Sequence, residues 1–149
     1  MTRTQVFLSY AHQDERWKHK LYTHLQVLVQ AERIELWCDR DIRPGQQWVD
    51  EIDQRLLSAK VGLLVISPDF LSSEFVMRHE VPLLLKKHEE NGLHLIPILL
   101  RQCVWETVDW LRPMQIVPRD AKSVAEFPKS KVDRVLADIA REVLKAVEQ

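Results

Sequence analysis

Val61-Gly62-Leu63-Leu64-Val65-Ile66 is a nearly continuous apolar run closed by the turn signal Ser67-Pro68. A run this short, apolar at almost every position and ended by a proline, suits a central parallel strand covered on both faces. Working outward, Thr4 to Tyr10 carries Val6, Phe7 and Leu8 together before turning polar at His12 to Glu15, which predicts a buried strand running into a helix. Trp17, Leu21, Leu25 and Leu28 then recur at helical spacing, with an end near Gln30 to Arg33. Ile34 to Trp37 is a second strand candidate. A polar loop follows through Pro44-Gly45, and Trp48, Val49, Ile52, Leu56 and Leu57 mark one face of the next helix.

Beyond Ser67-Pro68, a helix is expected from Ser72 or Ser73 toward Glu90, with Pro82 bending or dividing it because proline lacks an amide hydrogen. Asn91-Gly92 stops it, and Leu93 to Leu100 supplies the fourth strand. Arg101 to Arg119 is the least regular stretch, with a short fifth strand expected at Gln115 to Val117 and a loosely packed connection from Pro118 to Lys131. Ser130 to Glu148 reads as a helix opened by a capping box of Ser130 and Asp133, with Val132, Val135, Leu136, Ile139, Val143 and Val147 inward. Strand and helix alternate throughout, so the architecture is read as a three-layer α/β fold with a mostly parallel sheet.

The 149 residues suit one domain, 1–149 with a core from about 4 to 148, and show no repeat or interdomain linker. Apolar residues at 46% and charged ones at 29% describe a globular chain. The formal charge of −1 offers no field for nucleic acid or anionic lipid, so neither nucleic acid nor membrane is expected as a partner. Cys38 and Cys103 have no metal-site spacing and no acid-base partner that would define a nucleophile. No apolar run approaches ~20 residues, and with so few cysteines the expected compartment is the cytoplasm.

In an open parallel sheet, ligands collect at the carboxyl ends of the strands, so the loops after Leu8, Trp37 and Ile66 are where a site is sought. There is no GxGxxG pattern and no P-loop. Glu80 is the carboxylate there that could stabilise positive charge on a ribose as its glycosidic bond loosens, or polarise a hydroxyl or water; the plain alternative is a solvated helix glutamate or a partner for Arg78 or His79. Tyr10, Trp48, Phe70 and Phe75 are aromatics that could stack on a base or nicotinamide, or pack the core and its rim. Arg43 could meet a phosphate, and Ser9 hydrogen-bonds at a strand end. Asp39 and Asp41 lack the further oxygen ligands of a metal site and are read as structuring their turn. His12 is the one histidine placed near this edge. A receiver-like phosphoacceptor site is not supplied by Ser9-Tyr10 or Ser67-Pro68.

These segments resemble the Toll/interleukin-1 receptor (TIR) domains, especially bacterial ones. Val6-Phe7-Leu8-Ser9-Tyr10 looks like their first box. Leu36 to Gly45 with Trp48 and Ile52 looks like their second strand and long loop, and Val65 to Ser73 leading through Phe75 to Glu80 resembles the third strand and the helix bearing the family's glutamate. Ile96 to Leu100, with Cys103 and Trp105, resembles the fourth strand. The resemblance implies a flavodoxin-like three-layer fold with a central five-stranded parallel sheet. It also implies an NAD glycohydrolase that cleaves the nicotinamide-ribose bond in bacterial defence signalling, with hydrolysis or cyclisation of the ADP-ribose left open. Glu80 would be catalytic, with Ser9, Tyr10, Asp39, Arg43, Trp48, Phe70 and Phe75 around NAD, which is substrate rather than cofactor. No metal is implied. Homotypic TIR-TIR assembly and a sensor or regulatory domain or protein are the implied partners. The alternative is a non-enzymatic adaptor or scaffold. One departure stands out: relatives that cleave NAD often carry tryptophan four residues before the glutamate, where this chain has Val76.

Overall fold

The computed structural model describes residues 3–38 and 54–149. In chain order these form β1 (Thr4–Ser9), α1 (Glu15–Gln30), β2 (Ile34–Cys38), β3 (Ala59–Ile66), α2 (Pro68–Ser72), α3 (Val81–Asn91), β4 (His94–Leu99) and α4 (Val132–Val147). Residues 54–58 are helical and lead into β3. The strands lie in the order β2-β1-β3-β4, and all neighbours run parallel, with Val6 opposite Leu36 and Val61, and Leu64 opposite Pro97.

Successive side chains of a strand point to opposite faces, and β1 and β3 sort accordingly. Val6, Leu8, Val61, Leu63 and Val65 meet Leu21 and Leu25 of α1 and Leu136, Ile139 and Val143 of α4. Phe7, Leu64 and Ile66 meet Phe70, Val81 and Leu84 on the other face. The central apolar run is therefore buried on both sides, as its composition predicts.

The sheet has four strands among the described residues, which corrects the expected five. Gln115 to Val117 contributes one isolated parallel bridge, Ile98 to Val117, made by Leu99 N donating to Val117 O at 2.8 Å and Val117 N donating to Pro97 O at 2.9 Å. The next rung would need residue 97 to donate its amide to the carbonyl of Gln115. Pro97 has no N–H, so the ladder stops after one bridge.

The helix expected from Ser72 or Ser73 to Glu90 is divided. α2 ends at Ser72, Ser73 is extended, and a π-helical turn over Val76–Glu80 precedes α3. Pro82 lies in the first turn of α3 and cannot donate to the carbonyl of Arg78; the wider turn, in which Val81 N donates to Val76 O, is the local solution. α4 starts at Val132 with no side-chain cap, so the expected capping box of Ser130 and Asp133 does not form; Asp133 Oδ1 instead meets His24 Nε2 at 3.0 Å. The connection from Pro118 to Lys131 is also tighter than expected. Ser123 and Val124 are buried, and Glu126 Oε2 accepts from both the amide and the hydroxyl of Ser123 at 2.8 and 2.7 Å. Among the described residues no helix is long and apolar enough to cross a membrane.

Candidate functional site

Ser9 is the last residue of β1 and lies beside Leu64 of β3 at the carboxyl edge of the sheet. Glu80 closes the π turn. Both side chains are fully buried, and Ser9 Oγ donates a short hydrogen bond to Glu80 Oε1. The sequence folds this way because Ser73, just after α2, anchors the turn from its amino end. Its hydroxyl accepts from Val76 N at 3.2 Å and its carbonyl from Met77 N at 3.0 Å. Pro82 then forces the wide turn from the other end. The neighbours Arg78 and His79 are exposed while Glu80 is buried, so Glu80 is no solvated surface glutamate. A carboxylate out of water, oriented by a hydroxyl, acts on nearby charge far more strongly than one in solvent.

A second polar group lies at the same edge and was not singled out by sequence reasoning. Asp14, which precedes α1, is almost fully buried and accepts from Ser67 Oγ at 2.5 Å and from Arg101 Nε at 3.0 Å. Arg101 Nη2 reaches Asp14 at 2.9 Å and also binds Asp69. Ser67 in turn caps α2, accepting from Phe70 N at 3.1 Å. Burial opposes the charge on Arg101, but its bonds to Asp69 and Asp14 outweigh that penalty and raise its pKa above the ordinary arginine value. The group ties together the ends of β1, β3 and β4. Its partners are far apart in sequence, and the available signals were local ones: a serine before Pro68 and an aspartate opening a helix.

The remaining expected site residues are dispersed. Tyr10 is buried on the α1 and α4 side of the sheet, and its hydroxyl donates to Glu15 at 2.5 Å. Phe70 is fully buried on the opposite face. Phe75 is 47% exposed, with its ring centroid 5.6 Å from that of His79, and is therefore the aromatic of this turn that solvent reaches. Val76, four residues before Glu80, is core. His12 is exposed in the turn after β1. Asp39, Asp41, Arg43 and Trp48 lie outside the described residues. Among the described residues no cluster could hold a metal ion. Cys38 is buried, and Cys103 is half-buried with its pKa pushed up, first by burial.

The family model for the TIR domain matches residues 6–136. A protein of Sinorhizobium fredii, y4lF, is 31% identical over 141 residues, which is 95% of this chain and 43% of that protein. The chain thus spans less than half the length of that relative. Among solved structures, the TIR domain of the Toll-related receptor TRR-2 from Hydra magnipapillata is 21% identical with a TM-score of 0.63, covering 97% of this chain and 98% of that one. The RPS4 and RRS1 TIR domain heterodimer gives 14% identity and a TM-score of 0.67, covering 99% and 100%. These two likenesses are of fold. With most of its length matched by the family model, the chain belongs to the TIR domain family.

Proposed function

We propose that this TIR domain cleaves the bond between nicotinamide and ribose in NAD, with Glu80 as the catalytic carboxylate. The observation that carries the reading is the buried Glu80 held by Ser9 at the carboxyl edge of a parallel sheet. As the glycosidic bond breaks, its electron pair leaves with nicotinamide and positive charge develops on the ribose carbon and ring oxygen. A fixed carboxylate stabilises that charge in the transition state more than in the ground state. Water then adds to the carbon and loses a proton, giving ADP-ribose; attack by a nucleophile of the ADP-ribose itself gives a cyclised product. Ser9 holds one carboxylate oxygen, and Phe75 is the exposed aromatic in reach of the same turn. Tyr10 and Phe70, closed in the core, support the edge from beneath.

Assembly belongs to the same proposal: neighbouring TIR domains order the site, and a sensor or regulatory domain or protein triggers them. One solved relative is itself a TIR domain heterodimer, which supports this reading. The test is nicotinamide release from NAD by concentrated protein, beside Glu80→Gln. Activity lost in a folded variant, by about 100-fold or more, is the expected result. No release by either protein, even with assembly forced by fusion to an oligomeric carrier, would leave TIR-TIR association as the function.

A further inference from the structure

We infer that Arg101 is a positioning residue for Glu80, holding the turn that carries the carboxylate against the strand that carries Ser9 without touching either residue. The inference rests on the Glu80 reading for its catalytic consequence and on geometry alone for the anchoring. Ser9 ends β1 whereas Glu80 lies in a turn beyond β3, so their contact survives only if those two segments keep their relative place. On the β1 side, Arg101 Nε binds Asp14, whose own amide donates at 2.9 Å to the carbonyl of Ala11, two residues beyond Ser9. On the β3 side, Arg101 Nη2 binds Asp69 in the first turn of α2.

A continuous series of bonds leads from there to the π turn that ends at Glu80. Ser67 joins Asp14 to the amide of Phe70, Ser73 N donates to Phe70 O, and Ser73 accepts from Val76 and Met77 of the π turn. Arg101 itself is fixed by the sheet, since it follows Leu100, whose amide donates to Ile66 O at 2.9 Å. The planar guanidinium reaches two carboxylates at once, which an ammonium cannot reproduce with the same orientation. Without the cation, Asp14 and Asp69 repel each other and the two segments separate. A displacement of about 1 Å at a catalytic group costs up to roughly 100-fold in rate.

The test compares the whole chain with Arg101→Met and Arg101→Lys. Native-state amide exchange is followed at Phe70, Val76 and Met77, with Ile139 and Val143 of α4 as reference, alongside kcat and KM for nicotinamide release from NAD. Exchange at the first three amides is expected to quicken about 10-fold with the reference unchanged. In the same variant kcat should fall roughly 10- to 100-fold with KM within about 2-fold, and Lys should lie between Met and Arg. Uniformly faster exchange, unchanged local exchange, or a loosened turn with unaltered kcat would each overturn the inference. Should the unaltered protein release no nicotinamide, the Proposed function fails, and the exchange pattern still decides whether Arg101 anchors the turn.

Discussion

Ser9 donates its hydroxyl to Glu80 across 71 positions of chain, joining the end of the first strand to a π turn beyond the third, with both side chains fully buried. The bond has a stability consequence separate from any catalysis. Ser9→Ala removes the donor and leaves a buried carboxylate oxygen without it, at a cost of about 1–3 kcal/mol. Urea unfolding of the variant should show a lower midpoint with an unchanged slope. An unchanged midpoint would mean that the bond contributes nothing net. If the catalytic reading holds, nicotinamide release should fall as well, but less than in Glu80→Gln, because the carboxylate remains.

The two described glycines should respond to alanine for different reasons. Gly92 ends α3 in the left-handed region at φ 71°, and a Cβ there meets nothing within 4 Å, so Gly92→Ala costs only backbone strain, about 1 kcal/mol. Gly62 lies in β3 between Phe7 and Leu95, and its Cβ would come within 3.0 Å of Leu95 Cδ2. Gly62→Ala therefore overpacks the sheet face by roughly 1–3 kcal/mol. The checking measurement is a pair of thermal melts with crystal structures: Leu95 should turn to a new rotamer in the second variant, and no side chain should move in the first.

What the sequence shows and hides follows from range. Val61 to Ile66 and Val6 to Leu8 are legible as strands because burial on both faces demands apolar residues at consecutive positions. Pro82 announces a break in its helix, though not that the break is a π turn burying Glu80. The fifth strand misleads because Gln115 to Val117 has the composition of a strand, whereas its fate is decided by Pro97 on the facing edge. Arg101 stays hidden for the same reason: Asp14 is 87 residues away and Asp69 is 32, and no periodicity links them. Ser130 and Asp133 have capping-box spacing, but the helix begins after Lys131 and Asp133 turns to His24.

Glu126 gives a pH dependence whose sign is fixed. The hydroxyl of Ser123, then the amide of Gln102, then the backbone N–H of Ser123 hold its carboxyl below the ordinary 4.5. A depressed folded value means the contribution is present above the unfolded value and is lost as pH falls through the folded one. Thermal melts of the chain and Glu126→Gln should therefore differ by a constant amount well above the ordinary 4.5 and converge as the pH is taken below it. A difference that grew on acidification would reverse the assigned sign.

Cys103 offers a probe of the Arg101 charge that depends on no enzymatic assumption. Burial, and after it the charge of Glu106, raises its thiol above 9.0; the hydrogen bond with the backbone of Trp105 and the charge of Arg101 pull the other way. At about pH 8 only a small fraction is thiolate, so alkylation should be slow and should accelerate as pH rises through 9 and beyond. Removing Arg101 as methionine deletes one of the two influences that favour the thiolate. Alkylation of Cys103 in a folded Arg101→Met protein should slow at the same pH, and its pH profile should shift upward. Buried Cys38 stays unreactive in both proteins and serves as the internal check on folding. Faster labelling of Cys103 with Cys38 still protected would mean that losing the clamp exposes the thiol more than it raises its pKa, and the electrostatic assignment would then give way to a steric one.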